Sequence, residues 1–432
     1  MKVFFSAGEP SGDVHGANLI HALRKLDPEI QCVGFGGPKM SAAGLKQHFD
    51  LTSLAVMWLG EAIVNLRKFF VLADEAEEYF REEKPAAVIL IDYPGFNWHI
   101  AKRAKKYGIP VFYYSPPQVW GWLQGRVKKL KKRTDIVFSG LPFEAQWLRK
   151  HGCRVELVGH PFFDEIKNYP QNTDLIKYLN SLQPLVGLLP GSRTGEVRRN
   201  FPVFWKTAQK IQREMPCVHF AVAAFRKSHA DWIQKFLEDK KSEGEIKNLK
   251  IYVQHTPEII QTAHCCLSVS GSVSLELLAN GVPTVISYRV SRFAWYFQKF
   301  LRRSKYITLV NLLAVPNPFR SLNPEYHPNG PDAKEVIFPE YLSCLDRSGW
   351  IADDLLKWLK DQTLHQQCVQ RLEKMREEIG QPGAEERRRR EIKERRRREI
   401  EKGRRREIEK GRRRKIEKGR RREIEKGRRR KT

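Results

Sequence analysis

Two short glycine-rich stretches stand where a strand would hand over to a helix, and their residue types suit the binding of phosphate. The first, Ala7-Gly8-Glu9-Pro10-Ser11-Gly12-Asp13, follows the apolar Val3-Phe4-Phe5 and has Gly16 just beyond. The second, Leu188-Leu189-Pro190-Gly191-Ser192-Arg193, follows Leu185-Val186-Gly187 much later in the chain. Backbone N–H groups and the helix dipole make such a turn a natural seat for phosphate, so the expected substrate carries phosphate and lies between two domains. In the first turn Gly12 would let backbone approach a ligand while Ser11 or Asp13 caps the helix that follows. The plainer alternative is that Asp13 is only a cap and the glycines only turn the chain. The stretch has neither the G-x-G-x-x-G spacing nor a Walker lysine.

The second turn is more specific. Gly191-Ser192-Arg193-Thr194-Gly195-Glu196 sets small residues at a helix start with an arginine aimed at the same point, and arginine's planar fork matches a pyrophosphate. Further on, Ser268-Val269-Ser270-Gly271-Ser272-Val273-Ser274-Leu275-Glu276 forms another strand–Gly/Ser–helix turn. Glu276 then falls about one turn into the helix, where a carboxylate could accept both hydroxyls of a ribose. Its alternative role is that of a favourable first-turn acid. Together these stretches argue for a nucleotide-diphosphate pocket made of Gly191, Ser192, Arg193, Glu196, Ser270, Gly271, Ser272 and Glu276.

The elements that must position these residues are legible as apolar runs alternating with amphipathic stretches. Strands are expected at Val3–Ala7, Ala87–Ile91, Val111–Tyr114, Ile136–Ser139, Leu185–Leu189, His219–Ala223, Ile251–Val253, Leu267–Ser270 and Thr284–Ser287. Helices are expected at Gly16–Leu26, Trp98–Tyr107, Glu196–Glu214 and Ser274–Ala279. Strands this apolar, spaced by helices, predict an α/β protein with parallel, doubly wound sheets covered on both faces. The expected domains are 1–165, then 166–383 with a closing C-terminal helix, joined by the Pro/Asn-rich stretch near Asn168–Asp174.

The formal charge of +28 is spread over the chain. Residues 385–432 hold 27 basic and 11 acidic residues, a net +16, which leaves the body at +12. From Gly403 the sequence repeats every eight residues, with glycine at 403, 411, 419 and 427. On a helix that period drifts isoleucine by about 80° per repeat, which excludes a coiled coil. The expectation for 384–432 is a disordered or frayed basic tail, either dispensable or able to bind anionic lipid or nucleic acid. Seven scattered cysteines with no C-x-x-C read as reduced thiols of a cytoplasmic protein. No apolar run approaches the roughly 20 residues of a membrane span, and the chain enters a strand pattern with no export signal. A basic body would also suit nucleic acid, but no stacking-aromatic array or nucleic-acid motif accompanies the charge.

An ordered set of motifs resembles the bacterial lipid-A-disaccharide synthase family. They are GEPSGDVHGANL at 8–19, GFGGPKM at 34–40, LAVMWLGEAI at 54–63, LIDYPGFN at 90–97, YYSPPQVWGW at 113–122, LPFE at 141–144, VGHP at 158–161, LLPGSRTGEV at 188–197, SGSVSLE at 270–276 and YITLVNLLA at 306–314. The resemblance covers about residues 1–380 and implies a GT-B glycosyltransferase with two Rossmann-like domains facing a cleft. It implies transfer of 2,3-diacylglucosamine from UDP-2,3-diacylglucosamine to 2,3-diacylglucosamine 1-phosphate, with inversion to a β-1,6 linkage and release of UDP. Another UDP-sugar enzyme of the same fold, such as an N-acetylglucosaminyltransferase or epimerase, is the nearest rival.

Inversion calls for one in-line displacement, hence one base on the acceptor hydroxyl and stabilisation of the leaving UDP. Asp92, at the end of an apolar strand, is the expected base; its alternative is to cap the segment after Pro94. Gly95 stands where some family members carry a second aspartate. The expected cleft loop is Ser11, Gly12, Asp13 and Gly16. No D-x-D and no metal-ligand spacing occur, so neither metal nor cofactor is expected.

The lipid substrates imply an anionic membrane surface as partner, at the inner face of the cytoplasmic membrane, and the family suggests a homodimer. Two apolar stripes could meet lipid, the plainer alternative being that each faces a core. One is Leu59, Ala62, Ile63, Leu66, Phe69, Phe70 and Ala73; the other is Phe293, Tyr296, Phe297, Phe300 and Leu301, flanked by Arg289, Arg292, Lys299, Arg302, Arg303 and Lys305. Val315 replaces a common glycine, and 316–331 reads as an insertion near the acceptor site.

Overall fold

A computed structural model describes residues 1–55, 62–121, 123–159, 171–315, 317–319 and 326–380. Met1–Gly380 form one compact unit; 381–432 form a second unit, so the reading of the basic tail lies outside the described residues.

Seven strands make the first sheet: β1 (Lys2–Ala7), β2 (Gln31–Gly36), β3 (Lys46–Asp50), β4 (Ala87–Ile91), β5 (Val111–Tyr114), β6 (Ile136–Ser139) and β7 (Val155–Leu157). Their order is β3-β2-β1-β4-β5-β6-β7, with every pairing parallel. The second sheet holds β8 (Leu185–Leu189), β9 (His219–Ala224), β10 (Leu249–Val253), β11 (Cys265–Ser268), β12 (Thr284–Arg289) and β13 (Glu340–Ser343), in the parallel order β10-β9-β8-β11-β12-β13. All nine expected strands are present. Each sheet reverses its winding beside its first strand, between β1 and β4 and between β8 and β11. Ligands of open α/β sheets bind at the carboxyl ends of strands at such a reversal.

Helices that matter below are α1 (Pro10–Leu26), α2 (Pro38–Ala42), α3 (Ala62–Glu83), α4 (Pro94–Lys106), α5 (Thr194–Glu214), α6 (Val273–Ala279) and α7 (Arg292–Leu301). Four strands escaped the sequence reading. β3 and β13 are short, β7 has three residues, and β2 is broken up by glycines. One of them, Gly34, has φ +129, and a Cβ there would lie 2.2 Å from the Phe5 carbonyl oxygen, so close strand contact requires glycine.

Strand alternation distributes the core. Phe4 joins Phe35, Phe80 and Leu90 on one face of the first sheet, while Phe5 joins Ile20, Met40 and Ile91 on the other. Each such phenylalanine stabilises the fold by about 1.5–3 kcal/mol of burial. The second sheet has its own core around Val186, Leu188, Phe201 and Leu275. The two sheets do not pack as isolated halves, because Tyr306, Leu312, Val315 and Val336 join the first sheet's core. The Arg303 N–H donates to the Gly121 carbonyl at 3.0 Å, and the Phe319 ring lies 5.9 Å from Trp120.

Candidate active site

The four strand ends at the two reversals carry Gly8-Glu9 after β1, Asp92-Tyr93 after β4, Gly191-Ser192-Arg193 after β8 and Ser270-Gly271-Ser272 after β11. Asp92 and Tyr93 are both left-handed, at φ +48 and +44, which is strained for residues with side chains. The strain is held from behind. The Asp92 carbonyl accepts from Tyr113 Oη at 2.7 Å and from Asn97 Nδ2 at 2.8 Å. Asn97 Nδ2 also reaches the Ser6 and Ile91 carbonyls at 3.2 Å, and Asn97 Oδ1 accepts from Ser6 Oγ at 2.6 Å. Gly8 makes room for the turn, since a Cβ there would lie 2.2 Å from the Tyr93 ring.

The half-buried Asp92 carboxyl has its pKa raised by burial, opposed by the Tyr93 backbone and by His15. Glu9 is also half-buried. Burial and then the Asp92 charge raise its pKa, while Arg193 lowers it. Glu9 therefore feels charges from both sheets. Sequence reasoning missed Ser6, Asn97 and Tyr113 as supports of this corner, and Glu9 as its acidic neighbour. Their signal was polar atoms set inside apolar strands and recognised motifs.

The expected cleft loop needs correction. Helix α1 begins at Pro10 with Glu9 in the cap position and no side-chain cap, so Ser11, Gly12, Asp13 and Gly16 are helical. Asp13 is buried and its carboxylate accepts from the N–H groups of Gly37, Lys39 and Met40 at 2.9, 3.0 and 2.9 Å. It caps α2 rather than α1. Gly16 serves packing, because a Cβ there would lie 2.4 Å from Met40 Sδ. Ser11 is exposed, and a Cβ added at Gly12 would meet Ile91 at an ordinary contact distance of 3.5 Å.

On the second sheet, Arg193 is the N-cap of α5 and its side chain is 69% exposed. Glu196 Oε1 accepts from Arg193 Nη1 at 3.3 Å and from Tyr288 Oη at 3.2 Å, while Oε2 takes the Arg193 N–H at 3.4 Å. Both oxygens of Glu196 are thus engaged in orienting Arg193. Gly191 has φ +119. Ser270 Oγ donates to the Ile307 carbonyl at 3.0 Å; Gly271 and Ser272 are exposed. Glu276 is half-buried in the first turn of α6, with no hydrogen bond to its carboxyl among the described residues. Burial, then the charge of Glu258, pushes its pKa up to about 7.

The apolar stripes divide. Leu59 lies outside the described residues, as do the side chains of Ile63, Leu66 and Phe300. Phe69 turns inward against Tyr93 and Phe96, at ring distances of 6.0 and 5.6 Å, and Ala73 is core. Phe70 is exposed beside His99. On α7, Phe293, Tyr296 and Phe297 are 78%, 68% and 56% exposed, an unusual concentration of bare aromatic surface. Arg302 and Lys305 were expected among the flanking headgroup cations, but they are 8% and 3% exposed, because the chain after α7 turns into the interior.

No helix among the described residues is long and apolar enough to cross a membrane, and no group of three or more His, Cys, Asp or Glu there could hold a metal ion. Two parallel, doubly wound sheets, each with a reversal point carrying these residues, define a two-Rossmann fold. Solved structures share that fold. A protein from Listeria monocytogenes described as a UDP-N-acetylglucosamine 2-epimerase matches with TM-score 0.57 at 12% identity, over 85% of this chain and 90% of that one. A UDP-GlcNAc 2-epimerase from Neisseria meningitidis, bound to UDP-GlcNAc, matches with TM-score 0.52 at 11% identity, over 85% of this chain and 94% of that one.

Within this class the sequence is decisive. The family model described as lipid-A-disaccharide synthetase matches residues 3–335, and the chain belongs to that family of glycosyltransferases. The lipid-A-disaccharide synthase of Coxiella burnetii (strain Dugway 5J108-111) is 35% identical over 319 residues, 73% of this chain and 82% of the relative. That of Geobacter metallireducens is 32% identical over 389 residues, 89% and 95% of the two chains.

Proposed function

We propose that this glycosyltransferase moves 2,3-diacylglucosamine from its UDP derivative to the 6-hydroxyl of 2,3-diacylglucosamine 1-phosphate, forming the β-1,6 disaccharide with inversion. Asp92 takes the proton of the acceptor hydroxyl as it attacks; its raised pKa brings it nearer the working pH of a general base. Arg193, with the N–H groups of Gly191 and Ser192 and the start of α5, holds the diphosphate as negative charge develops. Gly271, Ser272 and Glu276 receive the nucleoside, with the unengaged Glu276 carboxyl accepting from ribose hydroxyls.

The observation that carries the reading is the field at Glu9, which takes in both Asp92 after β4 and Arg193 after β8. That shared influence supports a base on one sheet and a diphosphate anchor on the other working on one substrate. We assign the first sheet and its helices, 1–165, to the acceptor, and 166–383 to UDP. The exposed aromatic face of α7 rests on anionic lipid at the inner face of the cytoplasmic membrane, where both substrates reside, and a homodimer is the assembly.

The test is UDP release from UDP-2,3-diacylglucosamine with the 1-phosphate acceptor, in detergent with EDTA. Acceptor-dependent release with a disaccharide product is the expected result. UDP binding without release would leave the fold standing and refute the assigned acceptor, and loss of transfer on adding EDTA would refute metal-free chemistry.

A further inference from the structure

Arg302 lies just past α7 and is 8% exposed, yet its Nε has no partner and its guanidinium makes no hydrogen bond or ion pair among the described residues. A buried charge is costly unless it is paired. The neighbouring Lys305 meets this demand through Glu335 Oε2 at 2.6 Å. The acid whose charge reaches Arg302 is Glu340, but its oxygens already accept from the Ile307 and Thr308 N–H groups at 2.8 and 3.0 Å and from Asn311 Nδ2 at 3.3 Å. A second orphan sits on the same segment, as the buried Thr308 Oγ1 also has no partner.

The place of this segment in the fold narrows what could pair with Arg302. Residue 303 is tied to Gly121 in the turn after β5, and residue 307 to Ser270 in the turn after β11. Tyr306, Leu312 and Val315 belong to the core of the first sheet. Arg302 thus belongs to a segment of the second half that crosses to the first sheet, beside Glu340 of β13 and next to the residue tied to Gly121. Its burial keeps it from a headgroup plane, and Arg193 already serves the diphosphate.

We propose that Arg302 binds a phosphomonoester, the 1-phosphate of the acceptor, through the two-pronged contact that a guanidinium makes with phosphate oxygens. This rests on the acceptor named above. It adds the residue that distinguishes a sugar 1-phosphate from the same sugar without it.

The test uses the full chain with Arg302→Met, of similar length and uncharged, and Arg302→Lys. Glucosamine 1-phosphate is the soluble probe. It should raise the Tm of the wild type and leave that of Arg302→Met unmoved, since a ligand stabilises only the state that binds it. In transfer assays Arg302→Met should raise the acceptor KM about tenfold or more, with donor KM and UDP affinity unchanged, and Arg302→Lys should fall between. Without probe, Arg302→Met should melt no lower than the wild type, because it removes an unpaired buried charge. The proposal is overturned by an equal Tm shift in both proteins, by a rise in donor rather than acceptor KM, or by stabilisation with inorganic phosphate but not with the sugar phosphate. Should Arg302→Met not fold, Arg302→Lys supplies the same readouts. Probe binding needs no turnover, so failure of wild-type transfer would strike the reaction assigned above without touching the anion site.

Discussion

Tyr113 holds Asp92 from behind: its hydroxyl, in a fully buried side chain, donates at 2.7 Å to the carbonyl of a left-handed aspartate. The bond leaves the Asp92 carboxyl unhindered while fixing the backbone that aims it. Tyr113→Phe removes that bond and leaves Asn97 alone to hold the corner. The expected loss is about fivefold in kcat, on the scale of one hydrogen bond of roughly 1 kcal/mol, with UDP affinity unchanged by calorimetry. An equal fall in UDP affinity would mean general unfolding of the site.

Asp92→Asn should retain UDP binding and lose transfer by a factor of at least ~100, the usual scale for a positioned base. The base acts ionised, and burial raises its pKa. Activity of the wild type should therefore fall with acid at a pH above the ordinary aspartate value of about 3.9. That acid limb should be missing from the residual rate of Asp92→Asn. Unchanged transfer by the variant would sink the assignment.

Arg193→Met should weaken UDP binding by about 10- to 100-fold, the worth of hydrogen bonds to a charged group. Glu196→Gln is expected to cost only a few-fold, because its pair with the largely exposed Arg193 is weak in water. Calorimetric titration with UDP ranks the two. A larger loss from Glu196→Gln would place Glu196 against the nucleotide itself.

Glu144 offers a pH signature of the fold. It is buried, accepts from Trp120 Nε1 at 2.8 Å and Ser139 Oγ at 2.6 Å, and burial pushes its pKa from 4.5 up to about 7. The folded pKa exceeds the unfolded one, so the contribution is fully present below 4.5 and is lost as pH rises through about 7. The wild type should lose Tm relative to Glu144→Gln as pH is raised from about 5 to about 8. A constant difference between the two melting curves would show that Glu144 does not titrate there.

Phe293→Ser combined with Phe297→Ser should lower sedimentation with phosphatidylglycerol vesicles several-fold while preserving transfer in detergent. The two rings stack at 5.9 Å on the exposed face, so removing both uncovers no core. Truncation at Ala384 should likewise preserve transfer and weaken vesicle binding, more so at low salt. Equal binding with and without the tail would dismiss it as a tether.

Much of the architecture was legible because parallel strands buried on both faces announce themselves as apolar runs, and the turns after β1, β8 and β11 carry small residues that few other contexts require. Asp92 could be placed at a strand end from Ala87–Ile91 alone. The strands that were missed are short or interrupted, as Gly34 interrupts β2, and have no pattern long enough to read. The side-chain assignments that changed all depend on partners distant in sequence. Asp13 looks like a cap for its own helix until Gly37 and Met40 are folded against it.

The sequence by itself determined the two sheets, the family and the order of the glycine-rich turns, because periodicity and turn chemistry are local. An apolar stripe is the same whether it meets lipid or core. Only the tertiary structure decided that Phe69 and Ala73 face inward while Phe293 and Phe297 stay bare. Likewise a cation beside an aromatic helix reads as a headgroup ligand, and the fold instead buries Arg302 and Lys305. Whether a charge is solvated, paired or left waiting for a ligand is set by what the rest of the chain brings to it.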